Sequence, residues 1–247
     1  MNNEIKYEKR IVLYLDILGF KNAVDKSIED QEVLQTIYKS LNNIYSDKIK
    51  NYQGPLKGLD YGTHISVFSD NIVMSEPYNR NGSLYNFIYS VYWLVNEILW
   101  DGFVVRGAIT IGDLFHDDKV IFGPALNKAY KMESEMAIFP RVIISKDDVA
   151  EGLKMALHDD IEETKYFNIV LEVDEDGFFY LNNITKHHEF DDNETYVNLL
   201  FKLRRIIVEG LKNTNLKVRA KYEWLKAKYN QLYDTDIDSR APGKITE

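Results

Sequence analysis

The chain has 247 residues, 45% of them apolar, no cysteine, and a formal net charge of −9. This is enough for one large domain, or a catalytic domain with an appendage, and the missing cysteines exclude disulfides, thiolate catalysis and Cys-ligated zinc. An acidic chain lacks the broad positive surface that a phosphate backbone demands, so no nucleic-acid binding is expected. The N-terminal MNNEIKYEKR mixes charges of both signs and runs into a strand, unlike a signal peptide. IVLYLDILGF is then a near-continuous apolar run, as expected of a central strand covered on both faces, and it ends at Gly19. From about Lys21 to Ile49 the apolar positions Val33, Leu34, Ile37, Leu41 and Ile44 recur at helical intervals. HISVF and NIVMS flank Ser69 and Asp70 as a tight hairpin with Asp70 at its tip. LYNFIYSVYWLVNEILW reads as a helix over Leu84 to Trp100. With Asn86, Asn96 and Glu97 inside it, that helix suits a protein core better than a membrane, so a soluble cytoplasmic protein is expected.

FVVRGAITIGDLF and VIFG predict a second hairpin around HDDK, and a short helix follows from Pro124 to Met136 with proline in its first turn. RVIIS reads as a strand, Lys146 to Leu157 as a helix, and NIVLEV and FFYLNNI as strands joined at DEDG. From Glu194 two apolar stripes, Val197 to Ile207 and Val218 to Tyr229, predict a helical pair broken at residues 213 to 215, and the last residues read as a polar, frayed tail. The acidic loops at Asp174 to Asp176 and Asp191 to Glu194 read as solvated turns. The expected fold class is α+β, with a C-terminal helical extension. Its expected division is a domain over 1–190, a helical pair over 191–233 packed on it, and a flexible tail over 234–247.

Two aspartates at strand ends, Asp16 and Asp70, are the kind of carboxylate pair that holds divalent metal against a nucleoside triphosphate. Taken singly, either reads as a turn or cap residue. The helix starting after Gly19 directs free N–H groups, from Phe20 and Lys21, toward phosphate oxygens. On the helix from Pro124, Ala125, Ala129 and Met132 share one face while Asn127 and Lys131, four apart, lie together on the other.

YLDILGF, FSDNIV, RGAITIGD and VIFGPALNKAYKMES resemble, in order and separation, the core motifs of class III nucleotidyl cyclases. The cyclase-like stretch covers about Ile11 to Ser134, and the resemblance implies a ferredoxin-like antiparallel sheet flanked by helices. The resemblance implies that Asp16, the Ile17 carbonyl and Asp70 bind two Mn²⁺ or Mg²⁺ ions per site. It also implies that Asn127 orients the ribose, and that Lys131 stands where the family has a transition-state arginine. Lysine keeps the charge but loses the planar fork; Lys131 reads equally well as a solvent-facing helix residue. The reaction implied is attack of the ribose 3′-hydroxyl on the α-phosphorus with loss of pyrophosphate.

Ser66 and Val120 fall at the family's base-reading positions, and neither reproduces its adenine or guanine pair. A missing hydrogen bond in a buried base pocket is costly, so the pocket is expected to select another base or to select poorly. YLDILGFK, RGAITIGD and FGPALN most resemble the pyrimidine cyclases of Pycsar antiphage defence. That implies UTP or CTP as substrate, a Mn²⁺-dependent homodimer with shared active sites, and a separate cyclic-nucleotide-gated effector. An adenylate or guanylate cyclase with unusual base contacts, and a catalytically silent nucleotide-binding or dimerisation module, remain the alternatives. Asp113 replaces a triphosphate-binding arginine of some members, with Arg106, Lys21, Lys119 and Lys128 as other cations, and His116 with Asp117 and Asp118 reads as a solvated hairpin tip.

Overall fold

The structure, a computed structural model, describes residues 5–45, 61–156, 165, 167–185, 192–234 and 237–246. Its first half runs β1 (Glu8–Leu18), α1 (Phe20–Ser27), α2 (Gln31–Ile44), β2 (His64–Phe68), β3 (Asn71–Pro77), α3 (Ser83–Trp100), β4 (Val104–His116) and β5 (Ile121–Phe122). Then come α4 (Pro124–Glu135), β6 (Val142–Ile144), α5 (Lys146–Leu153), β7 (Leu171–Val173), β8 (Phe179–Leu181), α6 (Asn193–Leu211) and α7 (Leu216–Gln231).

The sheet order is β2-β3-β1-β4-β6-β8-β7, with β5 pairing the end of β4. Among the described residues only β4 and β6 pair in parallel. The order of the first four strands, with two helical crossovers between them, is the split βαβ arrangement of a ferredoxin-like sheet, as predicted.

β1 is central because both its faces are covered. Ile11, Leu13, Leu15 and Ile17 point to one face and join a core with Phe87, Val91, Tyr92 and Ile98 of α3. Val12 points the other way, into a second cluster with Ala125 and Ala129 of α4. Each such buried aliphatic contributes about 1.5–3 kcal/mol relative to exposure. α3 is apolar nearly all round because it is a core helix, with Asn86 and Asn96 buried among its apolar residues. Among the described residues no helix is long and apolar enough to cross a membrane.

Several local expectations change. The single helix predicted from Lys21 is two, since the Asp30 carboxylate accepts from the Glu32 and Val33 N–H groups and starts α2 afresh; the continuation to Ile49 lies outside the described residues. α5 ends at Leu153, and the predicted end at Leu157 and the acidic residue Asp191 also lie outside them. Residues 167–170 are helical, so the strand read in NIVLEV starts only at Leu171. The break at 213 to 215 holds, with Asn215 capping α7. The stretch 237–246, read as frayed, is tied down: Ile245 is buried, Asn230 bonds its backbone N–H and carbonyl, and the Tyr229 hydroxyl donates to the Pro242 carbonyl. Pairing of backbone groups and burial of one isoleucine outweigh the polar composition there.

Candidate active site

Asp16 sits near the end of β1, paired with Asn71 of β3 on one side and Arg106 of β4 on the other. β2 and β3 close through Ser69 and Asp70 alone, Ser69 taking a left-handed φ of 57°. The Ile17 N–H donates to the Asp70 carbonyl at 2.8 Å, so the hairpin tip is stitched to the residue after Asp16. In an antiparallel strand the N–H and C=O of one residue face the same neighbour, so the Ile17 carbonyl is directed at this turn as well. Asn71 Nδ2 donates to Asp70 Oδ1 at 3.0 Å, and Tyr14 donates to Asn71 Oδ1 at 2.7 Å.

A third carboxylate completes the corner. Arg106 Nε donates to Asp16 Oδ2 at 2.8 Å and lies equally close to Glu133 Oε1. One N–H cannot align with both. Its hydrogen points at Asp16, and the buried Glu133 Oε1 is left with an ion pair but no hydrogen bond. Burial raises the Glu133 pKa against the pull of Arg106, with Asp16 and Asp70 adding to the rise. The Tyr14 hydroxyl is pushed up to about 12 by burial and then by Glu133, Tyr130, Asp16 and Asp70, so it stays a proton donor. Lys221 of α7 also lies in this field, its pKa held down by burial and by Arg106. The C-terminal helical pair therefore reaches the corner.

Among the described residues no three His, Asp or Glu side chains assemble as a metal-ligand group. The donor set available for a divalent ion is narrower: two carboxylates, Asp16 and Asp70, and the Ile17 carbonyl. All are hard oxygens, and water and phosphate oxygens can fill the remaining positions of Mg²⁺ or Mn²⁺, so the residues fit such an ion.

Asn127 and Lys131 do not join this corner within one chain. α4 buries Ala125, Ala129, Met132 and Glu133, while Asn127 and Lys131 are exposed and Lys131 stands 4.0 Å from Glu135. Asn127 lies six residues before Glu133, about 9 Å along the axis and about 120° round it. Phe20 caps the core beside Phe103, leaving its backbone N–H at the first turn of α1 with that of Lys21, whose side chain is exposed. Ser66 is half-buried on β2, on the same face as Asp16, and Val120 is exposed beside β5.

The cations sort out as well. Lys128 is taken by buried Asp148, at 2.8 Å from both carboxylate oxygens, and Arg106 by Asp16. Asp113 pairs in register with Lys9 and alternates to the face away from Asp16. Asp117 caps its own turn through the Lys119 and Val120 N–H groups, but His116, read as part of a solvated tip, is buried. Sequence reasoning missed Glu133 and His116. The signal for Glu133 was an acid at the i+4 position from Ala129, on the apolar stripe of α4; His116 is the last residue of β4, one beyond the end read from the sequence.

No family model matches the sequence, and no curated protein does. Solved structures similar to it include the following three. One is the catalytic core of a rhodopsin-guanylyl cyclase with converted specificity in complex with ATPalphaS, at 15% identity and TM-score 0.44, covering 72% of this chain and 96% of that one. Another is an adenylate/guanylate cyclase/hydrolase from Silicibacter pomeroyi, at 14% identity and TM-score 0.42, with the same coverages. A class III adenylyl cyclase-like ATP-binding protein from Pseudomonas aeruginosa follows at 12% identity and TM-score 0.39, covering 66% of this chain and 40% of that one.

Proposed function

We propose that the chain is a divalent-metal-dependent nucleotidyl cyclase of the pyrimidine type, converting UTP or CTP to its 3′,5′-cyclic monophosphate and pyrophosphate. The observation that carries this reading is the meeting of Asp16 and Asp70 at one corner of the sheet, stitched by the bond from the Ile17 N–H to the Asp70 carbonyl. The 3′-oxygen bonds to the α-phosphorus as the bond to pyrophosphate breaks, and the hydroxyl proton leaves to solvent. Asp16, Asp70 and the Ile17 carbonyl would hold the metal, two Mn²⁺ or Mg²⁺ ions per site, which would lower the pKa of the 3′-hydroxyl and neutralise phosphate charge. Arg106 fixes the rotamer of Asp16. The Phe20 and Lys21 N–H groups take triphosphate oxygens at the start of α1.

Asn127 and Lys131 act from a second copy, orienting the ribose and meeting transition-state charge. Their exposure, together with exposed Phe68 (81%), Tyr130 (54%) and Val120 (50%), supports a covered face in a two-fold dimer with two equivalent shared sites. Ser66 and Val120 line the base pocket, where the purine-reading pairs are lacking. By the sequence resemblance, the product serves as a second messenger in antiphage defence, made in the cytoplasm and read by a separate effector.

Incubation with each of the four nucleoside triphosphates and Mn²⁺, read by product mass, tests the reading. A cyclic pyrimidine monophosphate is expected, with D16A and D70A each lowering the rate at least 100-fold; linear products alone, or full activity in both variants, would overturn it. The ion pair that already occupies Asp16 favours a second reading, a silent nucleotide-binding module, which predicts nucleotide binding without pyrophosphate release.

A further inference from the structure

Behind Ser66 runs a buried hydrogen-bond chain that the catalytic corner does not use. Arg10, buried under the sheet end, donates from Nε to Ser75 Oγ at 2.9 Å and from a terminal nitrogen to the Gly62 and Ser75 carbonyls at 2.6 and 3.2 Å. Ser75 Oγ lies 2.8 Å from His116 Nδ1, and His116 Nε2 lies 3.0 Å from Ser66 Oγ. Ser75 and His116 are buried as well. His64 packs beside the His116 ring at a centroid distance of 5.4 Å.

The direction of every bond in this chain follows from its first member. A guanidinium only donates, so Ser75 Oγ accepts from Arg10. Among the described residues Arg10 and His116 are the two side chains bonded to Ser75 Oγ, so its hydroxyl hydrogen has His116 Nδ1 as its acceptor. The opposite tautomer would leave that hydrogen buried without a partner, a cost of about 1–3 kcal/mol. The imidazole is neutral, because burial first and then His64 and Arg10 push its pKa down to about 4. Its single proton therefore sits on Nε2 and is donated to Ser66 Oγ. The hydrogen of Ser66 is left to point away from His116.

We propose that His116 positions Ser66 as a hydrogen-bond donor in the base pocket, so that the site takes a base with an exocyclic oxo group, uracil, in preference to one with an exocyclic amino group, cytosine. This rests on the reading of Ser66 as a base contact in a pyrimidine nucleotide site. Uracil O4 accepts the Ser66 hydrogen. The cytosine 4-amino group could only donate to the remaining lone pair of Ser66 Oγ, which would leave the hydroxyl hydrogen unmatched by that group once the bound base covers it.

The test is kcat/KM for UTP and CTP, with Mn²⁺, for the full chain and the variants S66A, H116A and H116Q. The wild type should favour UTP at least tenfold, and S66A should bring the ratio to within about threefold, chiefly by losing UTP turnover. H116A should erode the ratio in the same direction, and H116Q should recover part of it, since the glutamine amide can donate where Nε2–H did. Preference for CTP in the wild type, or an equal loss for both nucleotides in S66A, would overturn the proposal. Equilibrium binding of non-hydrolysable UTP and CTP analogues reads the same discrimination without turnover. Tighter uridine binding with no pyrophosphate release would sink the cyclase reading and keep this one; equal binding would sink this one whatever the turnover.

Discussion

A buried carboxyl shows how single residues of this chain are set against their ordinary chemistry. Glu76 faces the core from β3, accepts from the Thr63 hydroxyl at 2.9 Å, and is pushed up to about 7 by burial, with Thr63, Arg80 and Arg10 opposing. A carboxyl whose folded pKa lies above its unfolded value stabilises the fold fully below about pH 4.5 and loses that contribution as pH rises toward 7. E76Q keeps the bond from Thr63 and removes the charge. Urea unfolding at pH 5 to 8 should therefore show E76Q gaining on the wild type with pH, by about 3 kcal/mol at pH 8; parallel stability curves would refute the assignment. None of this was legible in the sequence, where Glu76 is one acid in SEP after an apolar strand. Asp16 was legible, because an acid inside YLDILGF interrupts an apolar run for no packing reason. That Arg106 takes it directly across the sheet required the β1 to β4 register, which pairs residues 90 apart.

At the scale of elements, the corner depends on how closely β1 and β4 approach. Gly107 follows Arg106, and a Cβ there would stand 2.5 Å from the Tyr14 carbonyl oxygen and 2.6 Å from a Leu15 methyl. The first contact is with backbone, so relief must come from the strand pair itself. G107A should destabilise the protein by about 1–3 kcal/mol and lower turnover beyond what stability explains, because the Asp16 and Arg106 pairing moves with the strands. Thermal melts and rates measured well below the melting temperature separate the two; an unaltered rate would show that the strand spacing is not critical. The elements most fully written in the sequence were those with unambiguous periods: β1, the two-residue hairpin at Ser69 and Asp70, and α4 with its alanine face. The long first helix failed because periodicity continues across Ile28 to Asp30 while the Asp30 cap interrupts the hydrogen-bond ladder. The strand read in NIVLEV holds over Leu171–Val173 but starts three residues late, because a short apolar run does not choose between helix and strand on its own.

For the whole molecule, the separation of Asn127 and Lys131 from the Asp16 corner makes association a requirement of the proposed chemistry. Mixing D16A chains with N127A chains should restore activity toward one quarter of the wild-type value under random exchange, since half of the dimers are mixed and each holds one intact site. Failure to recover in a mixture with proven subunit exchange would count against the shared site. Composition and motif order by themselves determined the acidic, cysteine-free character of the chain, the succession of its strands and helices, and the identity of the two strand-end aspartates. These are local or periodic properties, written in neighbouring residues. Only the tertiary structure decided that Glu133 and Lys221 share the corner with Asp16, that Asp113 turns to the other face, and that Arg10, Ser75, His116 and Ser66 form one directed chain. Those facts come from strand register and helix docking, which bring together groups up to two hundred residues apart. No local pattern encodes such a meeting, because it is the packing of the intervening chain that brings it about.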